Sequence, residues 1–257
     1  MLDKAVQLKF IGRLGSGMEI IDQAYTKVKG VGVFSAPEGN CNAVAEQALG
    51  MLLALLNNLK RADTQVRQKI WDRTGNRGYE LMGQTVGIIG FGHTGSQFAK
   101  KLSGMGVEIL AYDKYKTNYA EGFVNVRETT MEAIFQKATI VSFHLPLTAE
   151  IHHLVNKNFI DRFRHKTIII NTSRGKVIET GALIDALESG QVRGACLDVF
   201  ENEKPYTFTK TEQTLYQRLY QLDNVILTPH IAGWTFESKE RLAMVLLKKI
   251  SSFLAQD

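Results

Sequence analysis

The chain has 257 residues, 44% of them apolar and 22% charged, proportions that exclude a disordered chain, a collagen-like repeat and a disulfide scaffold. Lys and Arg outnumber Asp and Glu by 31 to 26, a net charge of +5. No basic stripe with interleaved aromatic residues accompanies that balance, so an anionic small molecule suits it better than nucleic acid. The two cysteines, Cys41 and Cys196, stand in no CxxC or His-paired pattern and read as buried thiols; no metal site is expected. Such cysteine usage fits a reducing cytoplasm. No apolar run of about 18 residues marks a membrane span, and the opening Met1-Leu2-Asp3-Lys4 lacks a signal-peptide pattern.

In chain order, residues 8–11 and 32–34 are two possible strands, followed by a long apolar helix over 42–60. Residues 85–89 read as a strand, 94–105 as a helix and 107–112 as a strand. A helical stretch over 131–137 precedes strands at 139–143 and 167–170. A helix at 181–189, strands at 194–198 and 225–228, and an amphipathic helix over 238–254 complete the pattern. Strands apolar on both faces and separated by helices predict a doubly wound parallel sheet, an α/β fold of Rossmann type. The predicted nucleotide-binding domain covers residues 42–231. Residues 1–41 are too few for their own core and are expected to pack with 232–257 as a second, smaller and incomplete flavodoxin-like lobe.

Gly90-Phe91-Gly92-His93-Thr94-Gly95 follows a strand and opens a helix. In that context Gly90 serves the tight turn, Gly92 lets backbone approach a pyrophosphate, and Gly95 allows close packing of helix on strand. Asp113 ends the next strand, where a carboxylate accepts from ribose hydroxyls and repels a 2′-phosphate; the expected cofactor is NAD.

Sites in open parallel sheets form beyond the carboxyl ends of the strands. Arg174, Glu203 and His230 all follow such ends. A cation, a carboxylate and an imidazole are what hydride transfer at a 2-hydroxy or 2-keto acid requires. The guanidinium would hold a substrate carboxylate and polarise the carbonyl, the imidazole would exchange a proton with the hydroxyl, and the acid would favour the imidazolium. His144 ends a strand and is placed to line the cofactor cleft.

These residues sit within segments that resemble the D-isomer-specific 2-hydroxyacid dehydrogenases, with most likeness to the phosphoglycerate dehydrogenase-like members. The matching segments are Gly12-Arg13-Leu14-Gly15-Ser16-Gly17, Ala36-Pro37-Glu38-Gly39-Asn40, Gly87-Ile88-Ile89-Gly90-Phe91-Gly92, His144-Leu145-Pro146-Leu147-Thr148, Asn171-Thr172-Ser173-Arg174-Gly175, Leu197-Asp198-Val199-Phe200-Glu201 and Thr228-Pro229-His230-Ile231-Ala232-Gly233. The resemblance implies that Arg174, Glu203 and His230 are catalytic, that the reaction is NAD-dependent and that 3-phosphoglycerate is one substrate to consider. It implies that His93 and Thr94 touch the pyrophosphate and Asp113 the adenosine ribose. Leu145, Pro146, Thr172, Ser173, Arg174, Asp198, His230, Ala232 and Gly233 would complete the cofactor contacts, with Asp198 holding the nicotinamide amide. Arg13, Ser16 and Gly17 would bind substrate. It further implies a homodimer joined through the nucleotide domain, with the helix from Asn42 at its interface.

The sequence departs from the family in two places. The usual Glu-Pro pair is interrupted as Glu203-Lys204-Pro205 and a longer loop follows. The strands that usually open the substrate lobe, with an Arg that helps hold substrate, are not in this chain; a misplaced start, a processed fragment and a short protein all fit that reading. Effector control through a module after Asp257 is not expected. A reading from another class is an NAD-sensing protein, or an inactive remnant of the family, that binds the nucleotide without turnover.

Overall fold

The computed structural model describes residues 2–255. In chain order its principal elements are β1 (Phe10–Gly12), α1 (Gln23–Val28), β2 (Gly32–Phe34), α2 (Pro37–Leu56) and α3 (Leu59–Arg67). Then come β3 (Thr85–Ile89), α4 (His93–Leu102), β4 (Glu108–Tyr112), β5 (Val126–Glu128), α5 (Met131–Lys137) and β6 (Ile140–Phe143). The chain continues through α6 (Lys157–Ile160), β7 (Thr167–Asn171), α7 (Thr180–Glu188), β8 (Val192–Leu197), α8 (Lys210–Gln221), β9 (Val225–Leu227) and α9 (Phe236–Leu254). Two compact units result, Ala45–Ala232 and the described residues of Met1–Val44 with Gly233–Asp257.

The larger unit is a seven-stranded sheet in the order β5-β4-β3-β6-β7-β8-β9, with every neighbouring pair parallel. Side chains alternate across it. Val86, Ile88, Ile109, Ile140, Ile168 and Ile170 pack on one face with Leu52 of α2 and Phe98 and Leu102 of α4. Ile89, Val141, Phe143 and Ile169 pack on the other with Ile134 of α5, Leu183 of α7 and Leu219 of α8. Burial on both faces explains why these strands are apolar without alternation. The strand order reverses direction at β3, whose neighbours are β4 and β6, and that switch point opens a crevice at the carboxyl ends.

The smaller unit pairs β1 with β2 in parallel. Helix α9 packs there through Phe253, whose ring lies 5.3 Å from Phe34 and 6.3 Å from Phe10. Lys249 fastens the same helix to Glu38, at 2.8 and 2.9 Å, and to the Ser35 carbonyl at 2.8 Å.

One expected element is corrected. The helix expected over 42–60 begins earlier, at Pro37, and stops at Leu56, because Asn58 turns left-handed (φ 53°) before α3 starts. Asparagine tolerates that conformation where most residues do not.

Candidate functional site

The first turn of the switch point holds two glycines, Gly90 and Gly95, that leave no room for a side chain. Gly90 has φ +90°, and a Cβ there would lie 2.4 Å from the His144 carbonyl oxygen. A Cβ at Gly95 would lie 2.1 Å from the Gly90 carbonyl oxygen, so α4 approaches β3 more closely than any side chain permits. At Gly92 nothing stands within 4 Å. Gly92 is also the N-cap of α4 and makes no side-chain cap hydrogen bond, so the positive end of the helix dipole lies at this turn.

Beside this turn lies a cavity of about 410 Å³ lined by Gly90, Gly92, Tyr112, Asp113, Leu145 and Pro146, among others. Asp113 stands at its rim, half-buried, its carboxylate accepting from the N–H groups of Phe91 (2.9 Å) and Tyr115 (3.0 Å). Among the buried polar atoms that have no partner among the described residues are Thr172 Oγ1 and His144 Nδ1. The other His144 ring nitrogen faces Ser142 Oγ at 2.9 Å, and burial pushes this imidazole down to about 3. An open glycine, an uncapped helix, an acid at the β4 end and an elongated, largely apolar slot fit a dinucleotide with its pyrophosphate on α4 and its adenosine toward Asp113.

The three side chains expected to carry the chemistry, Arg174, Glu203 and His230, follow three adjacent strands, β7, β8 and β9. Arg174 follows β7 on a loop ordered by Asn171, which is fully buried. Its amide nitrogen donates to the Arg174 carbonyl (2.9 Å), and its oxygen accepts from the N–H (3.1 Å) and hydroxyl (2.9 Å) of Ser173. The guanidinium itself donates to the Ser173 carbonyl at 2.7 Å. Gly175 lies against the loop after β8, with space for a Cβ pre-empted by the Phe200 carbonyl oxygen at 1.8 Å.

His230 follows β9 with φ 57°, a conformation uncommon for a residue with a side chain. Asp198, fully buried at the end of β8, holds the turn in that shape. Its carboxylate accepts from the Thr228 hydroxyl (2.5 Å) and from the N–H groups of Ile231 (2.9 Å) and Ala232 (2.8 Å), while its carbonyl accepts from the His230 N–H at 2.7 Å. Both Asp198 carboxylate oxygens are thus engaged within the chain, a positioning arrangement that its expected contact to a nicotinamide amide did not anticipate. His230 Nδ1 meets Glu203 Oε2 at 2.8 Å, with the imidazole 51% and the carboxylate 39% exposed. The loop carrying Glu203 is tied down by Asn202, whose side-chain amide donates to Glu212 of α8 at 3.0 Å and whose N–H donates to the Tyr216 hydroxyl at 3.2 Å. The interrupted Glu-Pro segment therefore still brings Glu203 to the imidazole.

In the smaller unit, the Arg13 guanidinium donates to the Gly17 carbonyl and the Arg13 N–H donates to the Phe34 carbonyl at 2.8 Å. Arg13 and Ser16 are half-buried and Gly17 is buried. Gly233 lies so close to Asn40 that a Cβ would stand 2.6 Å from its amide nitrogen. Two positioning residues are not among those expected from the sequence, Asn171 and Tyr216. Asn171 had a readable signal, a polar residue ending an otherwise apolar strand; Tyr216 had none. Among the described residues no group of three His, Cys, Asp or Glu side chains is placed to hold a metal, and no helix is long and apolar enough to cross a membrane.

Comparison with known proteins agrees with this geometry. The profile of the D-isomer specific 2-hydroxyacid dehydrogenase NAD-binding domain matches residues 49–232. Hydroxypyruvate reductase of Thermotoga maritima is 36% identical over 250 residues, 97% of this chain and 79% of that one. D-3-phosphoglycerate dehydrogenase of Methanocaldococcus jannaschii is 34% identical over 255 residues, 99% of this chain but 47% of that one. The crystal structure of D-lactate dehydrogenase from Aquifex aeolicus, complexed with NAD and lactic acid, superposes with a TM-score of 0.88 at 32% identity, covering 100% of this chain and 79% of that one. These relatives differ in named activity, so the phosphoglycerate dehydrogenase-like members are not singled out. The chain belongs to the D-isomer specific 2-hydroxyacid dehydrogenase family, whose NAD-binding domain it carries.

Proposed function

We propose that this chain interconverts a D-2-hydroxy acid and the corresponding 2-keto acid, with His230 as the acid–base group, Glu203 as its orienting carboxylate and Arg174 as the substrate clamp. The observation that carries this reading is the His230 Nδ1 to Glu203 Oε2 contact at 2.8 Å on the strand-end rim that also bears Arg174. With Nδ1 committed to the carboxylate, Nε2 is the nitrogen left for substrate. Bound NAD supplies or accepts the hydride.

The residues of the chain do the rest. Arg174 presents paired N–H donors to the substrate carboxylate and polarises the neighbouring carbonyl. His230 gives a proton from Nε2 to the carbonyl oxygen in reduction and takes it from the hydroxyl in oxidation. Glu203, 2.8 Å from Nδ1, fixes the ring plane. Asp198 keeps the His230 turn in place, and Asn171 the Arg174 loop. Arg13, Ser16 and Gly17 of the smaller unit are proposed to bind substrate.

Hydroxypyruvate, 3-phosphoglycerate and lactate, the compounds in the names of the similar proteins, share the carboxylate and the adjacent oxygen that this constellation addresses; 3-phosphoglycerate stays among the proposed substrates. The protein is proposed to work in the cytoplasm as a homodimer through the nucleotide unit. Exposed Ile70, Trp71, Tyr79 and Met82, in the stretch after α3, support that assembly. Steady-state turnover with a panel of these acids tests the proposal. His230→Asn, which tolerates the left-handed backbone, is expected to lower kcat by roughly 10²–10⁴-fold while NADH still binds. Unchanged turnover in that variant refutes the acid–base role. NADH binding by the wild type without turnover across the panel would favour the sensing alternative.

A further inference from the structure

The adenosine end of the cavity carries an arrangement that the reaction itself does not require. One rim is the tip of β4, Asp113-Lys114-Tyr115-Lys116, and the other is the loop after β6 with Thr148 and Glu150. Glu150 clasps the opposite rim twice: its carboxylate accepts from Lys114 Nζ and, at 3.2 Å, from the Tyr115 hydroxyl. Lys116 Nζ is drawn to the Phe91 carbonyl at 3.1 Å, the same residue whose N–H donates to Asp113. Two ammonium groups and two carboxylates thus border the place where the ribose would lie.

That balance bears on which dinucleotide enters. A 2′-phosphate brings about two negative charges and needs available cations where an unphosphorylated ribose needs an acceptor. Lys114 and Lys116 are the cations nearest Asp113 in the chain, and a sequence reading that stops at Asp113 does not say why they fail to serve. The clasp supplies a reason. Glu150 engages Lys114 and adds a second carboxylate to the rim, so a 2′-phosphate would meet two acids before it met an unengaged ammonium.

Resting on the NAD-dependent reading above, we propose that Glu150 is a cofactor-specificity residue, which selects NAD(H) over NADP(H) by sequestering Lys114 and adding its own charge to the cavity that Asp113 also lines. The proposal differs from the expected part of Asp113: it assigns discrimination to a residue on the facing loop and makes Lys114 a latent phosphate ligand.

The experiment is direct binding of NADH and NADPH, followed by the fluorescence of the reduced nicotinamide, to the wild type, Glu150→Gln, Lys114→Ala and the double variant. Glu150→Gln is expected to lower the NADH-to-NADPH preference about tenfold, chiefly through tighter NADPH binding, the scale of removing one like charge and releasing one opposite charge near the surface. Added salt should shrink that gain, since the groups are exposed. In the double variant the preference should return toward that of the wild type, because the liberated ammonium is gone. A preference within about twofold of wild type in Glu150→Gln, below the size of one surface charge interaction, overturns the proposal, as does a gain that Lys114→Ala leaves undiminished. A wild-type protein that binds neither nucleotide refutes the NAD-dependent reading itself; binding of NADH with an unaltered preference refutes only the part given to Glu150.

Discussion

Replacing Asp198 tests the structural basis of the site most sharply. Its carboxylate is fully buried and accepts from Thr228 Oγ1, Ile231 N and Ala232 N. Asp198→Asn keeps the volume and, with its carbonyl oxygen in place of Oδ1, keeps the first two bonds. Its NH2 group then faces the Ala232 N–H, donor against donor. Ala232 is 3% exposed, so water does not readily replace the lost acceptor. A buried hydrogen bond to a charged group is worth about 1.5–3 kcal/mol, and Asp198→Asn should cost about 2 kcal/mol on that scale. Asp198→Ala deserts all three donors. Because Thr228 and Ile231 reach solvent in part, their share is smaller, and a total of about 3–4 kcal/mol is expected. Urea denaturation at neutral pH reads this as a lower midpoint at constant slope. Turnover should fall in both variants as the His230 turn relaxes from φ 57°. A midpoint change equivalent to less than about 0.5 kcal/mol in Asp198→Asn, the size of an ordinary surface substitution, would show that Asp198 does not anchor the turn.

Three further outcomes are expected. Because burial holds the His144 imidazole down at about 3, between that value and about 6.5 the unfolded chain binds a proton that the folded chain does not. Stability should therefore fall as pH drops through this window, by at most about 1.4 kcal/mol per pH unit; equal pH slopes for wild type and His144→Asn in denaturation would contradict it. Gly95→Ala places a Cβ 2.1 Å from backbone at Gly90 and should lower stability by about 2–3 kcal/mol and weaken NADH binding, read by thermal melts and nucleotide fluorescence; wild-type values for both would refute the close-approach argument. Cys196 is fully buried and burial pushes its thiol well up, so iodoacetamide at neutral pH should spare it in the folded protein and label it in guanidinium. Rapid labelling of the native protein would refute that burial.

Much of the fold was legible because the sheet is buried on both faces. Ile168-Ile169-Ile170 needs apolar neighbours on either side and can be little else in a chain of this pattern. What escaped had no such signature. β5, Val126–Glu128, is a three-residue edge strand with an exposed arginine at its centre. α8 is a polar helix that buries only Tyr216 and Leu219, although its capping box, Thr209 with Glu212, was readable. The break at Asn58 stands at the end of an apolar run, where the left-handed backbone separates α2 from α3. Arg174, Glu203 and His230, the residues proposed for the chemistry, could be singled out because strand ends are where such folds place their sites. The work of Asn171 and Asp198 could not be found the same way, since both act largely on backbone groups, which carry no sequence signal.

Gly175 carries a consequence for how the site is divided. With the Phe200 carbonyl oxygen occupying the space where a side chain would begin, the loops bearing the guanidinium and the carboxylate are flush against each other, and no ligand can wedge them apart. The residues proposed for charge recognition and for orienting the acid–base imidazole therefore share one floor. Adaptation to a bulkier or a smaller acid must be sought in the surrounding walls, and mutational searches for altered selectivity should leave that floor alone.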